Sequence, residues 1–226
     1  MKIGILLSGC GVYDGAEIQE SVIAMLAVAE IGHEYQCISV NKNQHHVINH
    51  LTGYEMQEER NMMIESARIA RGDVKEISEI TPANIDALII PGGFGSAKNF
   101  SDWAFNGPDG TILPEVKLLL VNLINAGKPI AALCVSPILI AKALEDSAIH
   151  PNLTLGNTTD KSPYEIDGFH AGVQKTGSKT EERALKEVLI DKENKIITAP
   201  CYMMDASILE IRDNIKLAVE ELVRLA

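Results

Sequence analysis

Cys134 stands in Gly127-Lys128-Pro129-Ile130-Ala131-Ala132-Leu133-Cys134-Val135-Ser136-Pro137, between an apolar run and a helix start. Ile130 to Leu133 reads as a buried strand after a Gly-Lys-Pro turn. Pro137 to Leu144 reads as a helix, with Ser136 as its cap and Pro137 at its first position. A residue at a sharp strand-to-helix turn is pushed into view at the top of a sheet, which is the geometry of a nucleophile elbow. The flanking positions that must be small are Ala132 and Ser136. The helix behind aims N–H groups at the sulfur and favours thiolate over thiol. Taken alone, the stretch is equally consistent with a buried structural cysteine.

Three further stretches bear on this chemistry. Ser8 to Gly15 is a loop with three glycines, followed by Glu17. Pro91-Gly92-Gly93-Phe94-Gly95 closes an apolar run, Ile85 to Ile90, and lets backbone N–H groups approach a ligand. Ala199 to Tyr202 is another strand end and carries Cys201. In an open parallel sheet, ligands bind beyond the carboxyl ends of the strands, where all four stretches fall. A cysteine attacking a carbonyl creates an oxyanion that needs N–H donors. Val135 and Gly93 are the candidates, with Gly92 beside them.

The elements that must position these residues follow from periodicity. Ile3 to Leu7 is a strand, 16–31 a helix with Ile18, Val22, Met25, Leu26 and Ala29 on one face, and 33–40 a strand. This is a βαβ unit and implies a parallel sheet. Helices are expected at 58–70, 113–126 and 206–225, an edge strand at 74–80, and a short strand at 153–155. Residues 186–190 and 195–198 read as a hairpin, and 156–172 as irregular. No internal repeat or linker divides residues 1–226, so one domain is expected.

Composition narrows the function. The 226 residues include 20 Lys plus Arg and 31 Asp plus Glu, a net charge of −11. This balance argues against nucleic acid or an anionic membrane surface as partner. The four cysteines, Cys10, Cys37, Cys134 and Cys201, form no CxxC pair and no zinc spacing. With no signal peptide and no membrane span, the expected compartment is the cytoplasm. Gly9-Cys10-Gly11 begins a dinucleotide fingerprint that Asp14 ends, so no nicotinamide cofactor is expected. His46 and His50 share the spacing of two metal ligands on a helix, but 41–53 reads better as a solvated insertion.

The segments Gly9 to Glu17, Pro91 to Asn99, Cys134 at its elbow, and Ile64 to Gly72 together resemble the ElbB-type proteins of the class I glutamine amidotransferase-like superfamily, beside the PfpI-type proteases and deglycases. The resemblance spans the whole chain. It implies a flavodoxin-like α/β sandwich, a mostly parallel sheet with helices on both faces. It also implies a cofactor-free glyoxalase converting glyoxal to glycolate, and by extension methylglyoxal to lactate, with protein deglycation as the related activity. A small dicarbonyl is then the substrate, and a homodimer the expected assembly. Cys134 matches the family nucleophile. Glu17 matches the acidic residue that hydrogen-bonds the cysteine in PfpI-type relatives, although an acid there also suits a helix N-terminus. Relatives often carry a histidine on the strand after the elbow helix. None occurs in 153–157, and His170 is the nearest candidate, which weakens a glutaminase or protease triad.

A Cys/Glu pair suffices for glyoxalase-type isomerisation. The competing reading is a redox-sensing or stress-responsive protein in which Cys134 is oxidised and catalyses little. Cys10 and Cys201, at neighbouring strand ends, are then the candidates for a reversible disulfide with it.

Overall fold

The computed structural model describes all 226 residues. In chain order its elements are β1 (Lys2–Leu6), α1 (Ile18–Glu30), β2 (Glu34–Ser39), α2 (Met62–Ile69), β3 (Val74–Glu76), β4 (Ala87–Ile90), α3 (Gly95–Lys98) and α4 (Trp103–Asn106). There follow α5 (Pro114–Asn125), β5 (Ile130–Leu133), α6 (Pro137–Leu144), β6 (Asn152–Leu153), α7 (Ile166–Lys175), β7 (Lys179–Thr180), β8 (Leu189–Asp191), β9 (Ile196–Ala199) and α8 (Ile208–Leu225).

Seven strands form one sheet in the order β3-β2-β1-β4-β5-β9-β8, and β6 pairs with β7 in a small second sheet. The large sheet is parallel except at β8, which runs antiparallel to β9. Its central strands β4, β5 and β9 are buried throughout and consist of Ala, Ile, Leu and Thr. Such uninterrupted runs are what a sheet covered on both faces requires. The chain steps from β1 to β2 in one direction and from β4 to β5 in the other. Right-handed crossovers therefore put α1 and α5 on opposite faces. Helix α8 joins α1, and α6 joins α5. This is the expected flavodoxin-like sandwich. The order reverses between β1 and β4, and the loops following those strands are the two glycine-rich stretches, at the switch point where such sheets bind ligands.

Three local expectations are corrected. The predicted apolar face of α1 is largely its outer face: Ile18, Val22 and Leu26 are 44%, 46% and 50% exposed, Met25 alone of the large side chains on it is buried, and the buried stripe also takes in Glu20, Ser21, Ile23, Ala24, Ala27 and Val28. The helix is apolar almost all round, so periodicity could not fix its phase. Within 156–172, residues from Ile166 onward begin a helix whose signal Gly168 and Gly172 dilute. The predicted edge strand 74–80 pairs only through Glu76, because Glu76 and Glu79 form a capping box that turns Ile77–Glu79 into a 3₁₀ turn.

Helix α6 is buried at all eight positions, including Lys142 at 3% exposure. The Lys142 ammonium donates to the Pro108 carbonyl at 2.9 Å and pairs with Glu145 at 2.5 Å. It thereby ties the elbow helix to the 107–109 turn. Lys142→Ala should lower the unfolding free energy by about 2–3 kcal/mol, since it deletes a buried stem and strands two polar partners. Urea denaturation checks this, and a loss under about 0.5 kcal/mol, the level of an ordinary surface substitution, would show the tie to be idle.

Candidate active site

The residue at the end of β5 carries the backbone signature of an elbow. Cys134 has φ of 57°, in the left-handed region that L-residues avoid at a cost of about 1–2 kcal/mol. The turn is braced from both sides. Cys134 N–H donates to the Ala199 carbonyl at 2.9 Å, and the wholly buried Ser136 hydroxyl donates to the Pro91 carbonyl at 2.6 Å. The β1 and β4 loops are locked together in the same way: Glu17 N–H bonds the Gly92 carbonyl, Phe94 N–H that of Val12, and Gly95 N–H that of Gly15. Asn99 donates from its amide to the carbonyls of both Ser8 and Asp14, at 2.8 Å each.

Against the sulfur lies Glu20, a wholly buried carboxyl on the first turn of α1, hydrogen-bonded to the Cys134 side chain. Its other partners are backbone donors from two more loops, Gly92 N–H at 2.7 Å and Tyr202 N–H at 3.2 Å. Burial and then the neighbouring Glu17 raise its pKa to about 8, with those donors opposing. Glu20 therefore holds its proton at neutral pH and can donate it to Sγ. Burial also pushes the Cys134 thiol well above its ordinary value, with a charged Glu20 adding to the rise. The expected helix-stabilised thiolate is thus not the resting state: removal from water outweighs the N–H groups aimed at the sulfur. Those groups are Val135 N–H and Gly93 N–H, which face Sγ. Neither takes part in a backbone hydrogen bond.

The residues read from the sequence take distinct places. Cys134, Gly93, Val135 and Glu17 all line one small apolar cavity. The acid bonded to the sulfur, however, is Glu20, not Glu17. Glu17 is the N-cap of α1 and its carboxylate accepts Glu20 N–H at 2.6 Å, so one turn of helix separates the two roles. Gly92 spends its N–H on Glu20 and is not free to serve an oxyanion. Its requirement is spatial, since a Cβ there would lie 2.4 Å from Cys134 Cβ and 2.7 Å from the Glu20 carboxylate. Gly93 has φ of 95°, and a Cβ on it would strike the Gly15 carbonyl at 2.4 Å. His170 sits on α7, accepts Leu155 N–H, and does not line the cavity.

Sequence reasoning missed Glu20, and one signal was present. In the correct phase of α1 it is an acid on a buried stripe otherwise apolar but for Ser21, the kind of residue that is buried only when it has partners. The cavity's remaining wall is mostly aromatic: Phe94, Tyr164, Phe169 and Tyr202, with Val12 and Met203. All four cysteines are free thiols, and Cys201, wholly buried, lies nearest the site, its sulfur beside the Cys134 backbone. Cys10 faces Glu65 and Arg68 instead. His46 and His50 share no helix face: His46 packs on His45 and Phe105, and His50 on Tyr13 and Asp14.

No protein-family model matches the chain. A human protein named glutamine amidotransferase-like class 1 domain-containing protein 3, mitochondrial, is 36% identical over 228 residues, 99% of this chain and 83% of its own length. The crystal structure of an isoprenoid biosynthesis protein with amidotransferase-like domain from Ehrlichia chaffeensis superposes with a TM-score of 0.90 at 33% identity, covering 100% of this chain and 99% of that one. The chain belongs to the ElbB-type family of class I glutamine amidotransferase-like proteins. The family's fold extends to glyoxalase III from Candida albicans, with a TM-score of 0.61 at 15% identity, covering 99% and 96% of the two chains. At that identity the likeness is one of fold. One expectation is overturned: the human relative and two further vertebrate relatives are named mitochondrial proteins, so the cytoplasmic reading does not stand. It rested on reduced cysteines and a missing secretory signal, and neither separates one reducing compartment from another.

The protonation of Glu20 makes stability depend on pH. Its folded-state pKa of about 8 lies above the ordinary 4.5, so its contribution is full below 4.5 and is lost as pH rises through 8. Glu20→Gln, which loses one acceptor at every pH, lacks that slope. The wild-type advantage over Glu20→Gln should therefore shrink by up to about 1.4 kcal/mol per pH unit between these limits, measured by urea unfolding. A difference constant with pH would mean that Glu20 is ionised when folded.

Proposed function

We propose that this protein is a cofactor-independent glyoxalase that converts glyoxal to glycolate at Cys134. The observation that carries this reading is the buried Cys134–Glu20 hydrogen bond at an elbow where two uncommitted N–H groups face the sulfur. Membership of a family whose fold includes a glyoxalase III supports it.

Each group has a task. Sγ adds to one aldehyde carbon, the C=O π bond opens, and the thiol proton ends on the new hydroxyl of a hemithioacetal. Gly93 and Val135 N–H meet the oxygen while it is charged. The hydrogen on that carbon then leaves as a proton and is returned to the neighbouring carbonyl carbon, turning the hemithioacetal into a thioester and the second aldehyde into an alcohol. Glu20, poised near the operating pH, is the group to carry protons to and from this centre. Glu17 is the carboxyl on the cavity wall itself, while Glu20 reaches the centre through its contact with Cys134. Water cleaves the thioester, releasing glycolate and the thiol. Atoms balance as glyoxal plus water.

The cavity above Cys134 measures about 20 Å³, little more than one water molecule occupies. It suits a reacting centre of two carbons and keeps bulk water from intermediates. A glycated protein side chain is the harder fit.

Wild type and Cys134→Ser should differ in glycolate formation by at least about 10³-fold, as removal of a covalent nucleophile does. Glu20→Gln should fall by about 10²-fold or more in kcat, as loss of a general acid–base does. Above about pH 8, where Glu20 ionises and its charge opposes the thiolate, Cys134 of Glu20→Gln should nonetheless alkylate with iodoacetamide at least as fast as wild type, because a neutral amide lacks that repulsion. Product formed equally by wild type and Cys134→Ser would overturn the reading. Peroxide-sensitive Cys134 without turnover would favour the redox-sensor alternative.

A further inference from the structure

We propose that the cleft between α4 and α7 is a substituent subsite of the same centre, binding the apolar or aromatic group of a larger 2-oxoaldehyde whose aldehyde carbon reacts with Cys134. The proposal rests on the glyoxalase reading and names a substrate class beyond glyoxal and methylglyoxal.

The cleft has a volume of about 330 Å³, inside the usual range for small-molecule sites. Three residues are shared between its wall and the wall of the Cys134 cavity: Phe94, Phe169 and Val135. Val135 is the residue whose N–H faces Sγ. A carbonyl oxygen held there has its carbon at the nucleophile and the cleft immediately beyond. Trp103 and Pro108 form the far side, and the only ionisable group on the lining is the exposed Glu165.

The space comes from the sequence of α7. Gly168 and Gly172 stand one helical turn apart and face the cleft. Glycine inside a helix costs about 1 kcal/mol against alanine. Gly172 has a packing reason, since a Cβ there would lie 3.0 Å from the Trp103 ring. Gly168 has none: its φ is not positive and a Cβ would meet only Glu165 Cβ, at 3.8 Å. What its missing side chain leaves is volume in the cleft. A second opening, on the Tyr164–Tyr202 side, is comparable at about 390 Å³ but carries the carboxyl groups of Glu17 and Asp205. An apolar substituent is therefore sorted to the α4–α7 side.

For a substituted 2-oxoaldehyde the chemistry balances as before. Sγ adds to the aldehyde carbon, that carbon's hydrogen passes as a proton to the adjacent ketone carbon, and water releases the 2-hydroxy acid; phenylglyoxal gives mandelate.

The test fills the cleft without touching Cys134, Glu20 or the two N–H donors. Gly168→Leu, and separately Ala104→Trp from the opposite wall, should lower kcat/KM for phenylglyoxal by at least about tenfold and leave glyoxal within about twofold, the discrimination apolar pockets achieve. A parallel measurement needs no turnover: alkylation of Cys134 by N-benzyl-2-iodoacetamide relative to iodoacetamide, followed by peptide mass spectrometry. Filling the cleft should reduce that ratio by about tenfold. A ratio that both variants leave unchanged overturns the subsite, whatever the enzyme turns over. A reduced ratio in a protein that converts neither aldehyde keeps the subsite and overturns the glyoxalase reading.

Discussion

The arrangement depends on one buried carboxyl. Glu20 accepts N–H groups from the loop after β4 and the turn after β9 and shares a proton with the residue ending β5, while its own helix follows β1. Four segments distant in sequence therefore meet at one group. An ionised carboxylate in that position would be costly, because burial removes water from it and Glu17 lies nearby. A neutral acid resolves the conflict by holding its proton, and the held proton is what the sulfur needs. The electrostatic problem of assembling the crevice and the chemistry assigned to it have a common solution.

Around that group, rigidity and space are divided unevenly. The elbow is fixed by hydrogen bonds from the Ser136 hydroxyl and the Cys134 N–H, and the β1 loop beside it by the Asn99 amide. The roof over it is made instead of the aromatic rings of Phe94, Tyr164, Phe169 and Tyr202, which offer surface and fix no single atom. Such a division suits a centre that performs one reaction on substrates differing at one end.

Much of this was legible in the sequence because it is local. A strand, a small-residue turn and a proline-started helix announce an elbow within eleven residues, and glycine-rich strand ends announce the crevice. What failed was long-range. Glu17 caps α1 and Glu20 lies in its first turn, and choosing between them requires the phase of a helix apolar on almost every side. Only the packing of α1 against α8 settles it. Helix α7 was hidden for the opposite reason, since its glycines weaken the local signal and its position comes from contacts with the 107–109 turn. The compartment was misread because cysteine usage reports redox poise and not address.

The left-handed backbone at Cys134 has an evolutionary consequence. Glycine is the residue that adopts such a conformation without strain. A single substitution to glycine at this position would relax the elbow and end the covalent chemistry together. Relief of about 1–2 kcal/mol of backbone strain would offset much of what is lost with a buried side chain that touches Glu20. A lineage that kept the fold for another purpose, as a binding or scaffolding protein, could therefore lose the cysteine at little net cost in stability.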